Sequence, residues 1–167
     1  MFLFYIIQLS AILINSGSQG NVAVRHSPLT IKAVPAGDRD GDCATLLISK
    51  RNGQGRAIKH SFCRSARIYD MTSGVVIIND NVDRSELYMY HAAGSRITAK
   101  RYHVSLRDKG TISVTTFVYK GGTNHRVAFD LTVRTANPRG VGSEGVYYKC
   151  LEIRGQQISE GPSRCPG

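Results

Sequence analysis

The chain has 167 residues, a formal net charge of +10, four cysteines and no tryptophan. That length suits one domain with a sizeable core, and the absence of any long apolar run after the first twenty residues excludes a multi-span membrane protein. The charge suits RNA, anionic lipid or an acidic protein surface as a partner, and also plain solubility.

Residues 1–20 carry no charged side chain and hold the runs FLFYII and LSAILI, broken by Gln8, Ser10 and Asn15. They read as a secretory signal peptide rather than a membrane span, although no Lys or Arg precedes the apolar run. Four cysteines in the rest of a small secreted chain favour two disulfides, and three pairings are open. Cys63–Cys150 is preferred because it would tie the start of the core to its last strand. Cys43–Cys165 would then staple the two extensions. The spacing lacks CxxC, so no zinc site is expected. No N-x-S/T sequon is present.

Asn21–Gly37 holds two prolines and reads as an irregular arm with one short strand over Leu29–Val34. Asp38-Arg39-Asp40-Gly41-Asp42 resembles the opening of a calcium loop. However, Cys43 stands where the loop needs glycine and Ser49 where it needs a bidentate glutamate, so no metal is expected. Ala44–Ser49 is an apolar strand, and Lys50–Lys59 (KRNGQGRAIK) a flexible basic loop. Ser61–Asp70 reads as one or two helical turns. Val75–Ile78 is β-branched throughout and reads as a buried strand. Further strands are expected over Glu86–His91, Ile97–Leu106, Thr111–Tyr119, Arg126–Thr135 and Gly145–Ile153. Asp108-Lys109-Gly110 signals a hairpin, and the tail from Arg154 is polar and loop-like. Gly121-Gly122 is the expected tight reversal before Arg126. The sum is an α+β fold: a twisted antiparallel sheet packed on one short helix and stapled by disulfides. An all-β sandwich is the alternative.

Tyr119-Lys120-Gly121-Gly122 followed by Arg126-Val127-Ala128-Phe129-Asp130 resembles the Y-x-G-G…R-V-x-F-[ND] segment of the small secreted fungal guanyl-specific ribonucleases of the T1 type. The chain also resembles the ribonuclease-like secreted effectors of powdery mildew fungi, which keep that fold and usually lack its catalytic set. Their aromatic-x-Cys motif differs here, since Phe62 directly precedes Cys63. The resemblance implies a sheet on one helix, with Cys63 and Cys150 as the framing disulfide. It divides the chain into a signal peptide (1–20), an N-terminal extension (21–60), a ribonuclease-like domain (61–153) and a tail (154–167).

Cleavage of RNA needs a base, an acid, cations for the phosphate and a grip on the nucleobase. Arg126 matches the family's arginine, with an ion pair to Asp130 or another carboxylate as the structural alternative. His91 lies near the family's tyrosine-x-histidine strand with altered spacing. No carboxylate falls in the two strands before the glycines, and Glu86 and His91 fall on opposite faces of one strand. Arg134 stands where a late histidine is needed, and arginine cannot serve as the acid. His60, His103 and His125 fall on separate elements. The expectation is therefore a pseudo-ribonuclease. Arg126, His125, Lys120, His91 and Arg134 are its candidate RNA- or anion-binding residues, with Tyr88, Tyr90, Tyr102, Tyr147 and Tyr148 as stacking faces.

The expected function is that of a secreted, non-catalytic effector that binds a host protein or RNA to promote infection. An immune receptor is a candidate partner, and entry into host cells a candidate route. No cofactor or membrane insertion is expected. An active secreted ribonuclease and an unrelated secreted β-sandwich virulence protein are the rivals.

Overall fold

A computed structural model describes residues 10–35, 43–82, 84–104, 111–136 and 145–167. The described residues form thirteen strands and no helix. The strands are β1 (Ile12–Asn15), β2 (Gly20–Val22), β3 (Leu29–Pro35), β4 (Cys43–Lys50), β5 (Ile58–Cys63), β6 (Ser65–Met71), β7 (Gly74–Asp80), β8 (Ser85–Ala93), β9 (Arg96–Arg101), β10 (Thr111–Thr123), β11 (Arg126–Ala136), β12 (Gly145–Arg154) and β13 (Gln157–Gly161). Three antiparallel sheets result, in the orders β2-β3-β4-β5, β1-β6-β7-β8-β9 and β10-β11-β12-β13. Apart from β1, each sheet is a run of consecutive strands.

The five-stranded sheet lies in the middle, because it is buried on both faces. Ala66, Ile68, Val75, Ile77 and Tyr90 pack with Leu29, Ile31, Leu46, Ile48 and Phe62 of the first sheet. Tyr69, Met71, Val76, Ile78, Leu87 and Met89 pack with Phe117, Val127, Phe129, Leu131, Leu151 and Ile153 of the third. A strand covered on both faces has no polar face, which is why Val75–Ile78 is apolar without alternation.

The expected helix over Ser61–Asp70 does not form, and with it the α+β reading falls; the all-β alternative fits. β5 runs to Cys63, the chain turns at Arg64 with φ 71°, and β6 begins at Ser65 in the next sheet. Ala66 and Ile68 face one core and Tyr69 and Met71 the other, a two-sided burial that mimics a broken helical stripe. The segment read as a signal peptide is described from Ser10. Its Ile12–Asn15 pairs with β6, and Gly20 begins β2. The tail read as loop contains β13. The acidic run Asp38–Asp42, the hairpin signal Asp108–Gly110 and residues 137–144 lie outside the described residues.

Both disulfides differ from the preferred pairing. Cys43 bonds Cys63 and Cys150 bonds Cys165. The β4–β5 register places Cys43 directly opposite Cys63, so the hairpin decides the pair. Each bridge stays within one layer. Among the described contacts, the layers are joined by the two apolar cores and by buried polar links. Asp70 of β6 accepts from the backbone N–H groups of Arg25 (2.5 Å), His26 (2.8 Å) and Ser27 (2.8 Å). His60 of β5 lies 2.6 Å from the Tyr90 hydroxyl and 2.8 Å from Asn79 Oδ1. On the other side, Arg67 holds Asp80 with two bonds and donates to the Phe117 carbonyl at 2.8 Å.

Candidate functional site

The glycines do not make the reversal. β10 continues through them to Thr123, and the turn is the pair Asn124-His125, with Thr123 opposite Arg126. Gly121, at φ 128°, instead takes up a register shift between Tyr119 and Gly121, which is a β-bulge. Gly122 is required by packing, since a Cβ there would meet the Arg126 carbonyl oxygen at 2.3 Å. Asn is well suited to the tight turn that replaces the expected one.

Arg126 therefore starts β11 beside a rigid turn, and its guanidinium is taken by a neighbour. Its Nη2 donates to Glu152 Oε2 at 2.5 Å, and Arg154 Nε holds the other oxygen of the same carboxylate. Hydrogen bonds from Arg154 and then Arg126 hold the Glu152 carboxyl below its usual range. Asp130 is not the partner. It lies 3.7 Å from Lys120 Nζ and accepts from the Cys165 backbone N–H at 2.6 Å.

His125 is exposed, with Nδ1 2.9 Å from Thr72 Oγ1. His91 is buried; its Nδ1 donates to the Ser73 carbonyl at 3.2 Å, and its Nε2 has no hydrogen-bond partner. Burial lowers the His91 pKa, which keeps the ring neutral. The Thr72-Ser73 turn links these histidines: Thr72 N–H donates to Asn124 O at 2.8 Å and Ser73 Oγ to Gly155 O at 3.3 Å. His91, His125 and Arg126 thus gather at one end of the stack. Arg134 does not join them, because eight residues of strand separate it from Arg126, about 26 Å. Lys120 is drawn aside by Asp130. Glu86, the glutamate weighed as a base, is engaged by Arg101 and accepts from the Tyr88 hydroxyl at 3.0 Å.

The tyrosines do not form a stacking platform. Tyr90 is buried, and burial pushes its hydroxyl up to about 12. Tyr88 meets His60 edge-on, and Tyr102 donates to Glu160 at 2.6 Å. Tyr148 is covered by Arg164, whose Cζ sits 4.3 Å from the ring centroid, while Tyr147 projects from the other face of β12.

A groove at the edges of the first two sheets has a different character. Arg56, Ala57, Ile58 and Lys59 form one wall, and Ser95, Arg96 and Ile97 the other. Its signal in the sequence is the basic segment KRNGQGRAIK, whose last two residues begin β5 instead of ending a flexible loop. No cluster of three or more metal-ligating side chains occurs among the described residues, and no helix there is long and apolar enough to cross a membrane. No family model, curated protein or solved structure matches the chain.

Proposed function

We propose that this chain is a secreted, non-catalytic binding protein of the effector type, which engages an acidic partner on a host surface or in the host through charge. One observation carries the reading. From Ser10 to Arg64 the described residues include Arg25, Lys32, Lys50, Arg56, Lys59 and Arg64 but no carboxylate. Arg51 is turned inward onto the carbonyls of Val24, Ser27 and Leu29. An excess of cations over carboxylates among the described residues of one layer is the footprint of a binding face for an acidic macromolecule, RNA and acidic host proteins included.

The arrangement around Arg126 supports the non-catalytic part. Its guanidinium is paired with Glu152, and among the described residues no carboxylate is hydrogen-bonded to His91 or His125. Two disulfides suit an oxidising compartment. The three antiparallel sheets fit the all-β alternative to the ribonuclease-like frame.

The test is retention of total RNA and of an acidic protein on the immobilised folded chain, over a salt gradient, with the RNA re-examined for length. Retention that falls steeply with salt, with intact RNA, is the expected result. Cleavage that Arg126→Ala abolishes would sink the non-catalytic reading.

A further inference from the structure

From the basic groove lining we infer that the groove between β5 and β9 binds a sulfated polysaccharide chain. This assignment rests on the proposal of an acidic partner and names its chemistry. The groove lies between two sheet-edge strands of adjacent layers and has a volume of about 620 Å3. Arg56 and Lys59 stand on one wall and Arg96 on the other, and no carboxylate lines it.

The walls are fixed to each other. Gly55, at φ 83°, lies so close to the β8–β9 turn that a Cβ would meet the Ser95 carbonyl oxygen at 2.3 Å. Lys50 Nζ donates to Gly94 O in the same turn, which adds a fourth positive charge at the rim. Cations held by a rigid backbone lose less freedom on binding than cations on a mobile loop.

The donor set selects the ligand. Arg and Lys side chains donate only, and Ser95 is the one lining side chain that can accept. A nucleobase offers amino donors that need acceptors and a flat face that needs an aromatic ring. The groove offers only the Ser95 hydroxyl as a side-chain acceptor, and no aromatic ring. A chain of sugar sulfates offers mainly anionic acceptors, and its pyranose rings present C–H faces suited to Ile58 and Ile97. The basic track continues across the first sheet. Lys59 is in register with Leu47 and Leu47 with Lys32, so the two lysines project from one outer row about 10 Å apart. Thr30, Thr45, Ser49 and Ser61 supply hydroxyls on the same face. A linear polyanion can lie along this row as well as in the groove.

The experiment measures affinity of the full, disulfide-intact chain for a heparin-derived octasaccharide and for single-stranded poly(U) RNA at physiological salt. Lys59→Gln/Arg96→Gln is compared with Arg84→Gln/Arg164→Gln, which removes the same charge away from the first sheet. Circular dichroism confirms that both variants fold. The groove variant should lose at least about tenfold in octasaccharide affinity, and the control less than about threefold. Equal losses in both variants would overturn the site, since net charge alone would then account for binding. Tight binding of poly(U) with none of the octasaccharide would overturn the ligand class while leaving the acidic-partner proposal standing. Failure to bind any polyanion or acidic protein would remove both.

Discussion

Asp70 offers the sharpest test of how the layers are joined. Its carboxylate is buried in the central sheet and receives three successive backbone N–H groups from Arg25, His26 and Ser27. Those residues lie between β2 and β3, so the contact docks the first sheet onto the second. Asp70→Asn preserves the shape but leaves one acceptor oxygen and turns an amide NH2 toward at least one backbone donor. Loss of one charge-assisted bond costs about 1.5–3 kcal/mol, and a donor left unsatisfied costs about 1–3 kcal/mol. Part of the second sum returns through relaxation, so a net loss of about 2–4 kcal/mol is expected. Urea unfolding of the oxidised protein, followed by far-ultraviolet circular dichroism, measures it, with the m-value unchanged. Hydrogen exchange supplies the local signature: the amides of residues 25–27 should lose protection well before those of β7. A change below about 0.5 kcal/mol, with those amides still protected, would refute the claim that this carboxylate holds the first layer in place.

Stability should also fall as pH drops below about 6.5. Burial lowers the pKa of both His60 and His91, so the unfolded chain binds more protons than the folded one in that window. The contribution is complete above the unfolded pKa and declines until the folded values are passed. His60→Gln should flatten part of the slope above pH of about 5, where the carboxylates are still ionised; an unchanged profile would count against burial as the cause. Removing Cys150–Cys165 by a double Ser substitution should cost about 3 kcal/mol for a closed loop of this size, and peptide mapping should find Cys43–Cys63 and never Cys63–Cys150. Gly74→Ala should cost more than about 3 kcal/mol or prevent folding, because the new Cβ would meet the Tyr90 carbonyl oxygen at 1.9 Å. Gly53→Ala, also at positive φ but with nothing within 4 Å, should cost only about 1–2 kcal/mol.

The legible parts of this fold were those where one strand carries its own signal. Val75–Ile78 declared a two-sided burial, and β11 carries regularly spaced buried Phe129, Leu131 and Val133 on a half-covered sheet. Ser65–Met71 failed for the reason that β7 succeeded. It too is covered on both faces, but Arg67 and Asp70 sit among its apolar residues to link layers, so its pattern fits no period. β1, β2 and β13 are short edge strands whose pairing is set by their neighbours rather than their composition. Gly121-Gly122 was rightly marked as special backbone, yet a bulge and a close approach require the same permissiveness as a turn. The cysteine pairing was hidden because strand register, not sequence distance, puts Cys43 beside Cys63. Arg126 was found, and its ion-pair alternative foreseen, but Glu152 reaches it only across the β11–β12 ladder. The groove was invisible because Lys59 and Arg96 meet through two different sheets.

The two outer layers treat their cations in opposite ways, and the difference can be reversed by one substitution. In the third sheet, Glu152 binds Arg126 and Arg154, Glu160 binds Lys149, and Asp130 lies by Lys120. Arg126 and Arg154 are directly opposite in the ladder, an arrangement that like charges resist without the carboxylate between them. Glu152→Gln would release both guanidiniums on one rigid sheet face. Exposed pairs contribute little, so stability should fall by less than about 1 kcal/mol. Affinity for a polyanion should rise, and the gain should persist in a chain that also carries Lys59→Gln/Arg96→Gln, because the new contact lies on the other outer layer. If Glu152→Gln leaves polyanion affinity unchanged in both backgrounds, neutralisation by Glu152 is not what silences Arg126. The contrast between a neutralised layer and one whose described residues carry no carboxylate would then lose its force as the reason to place binding on the first sheet.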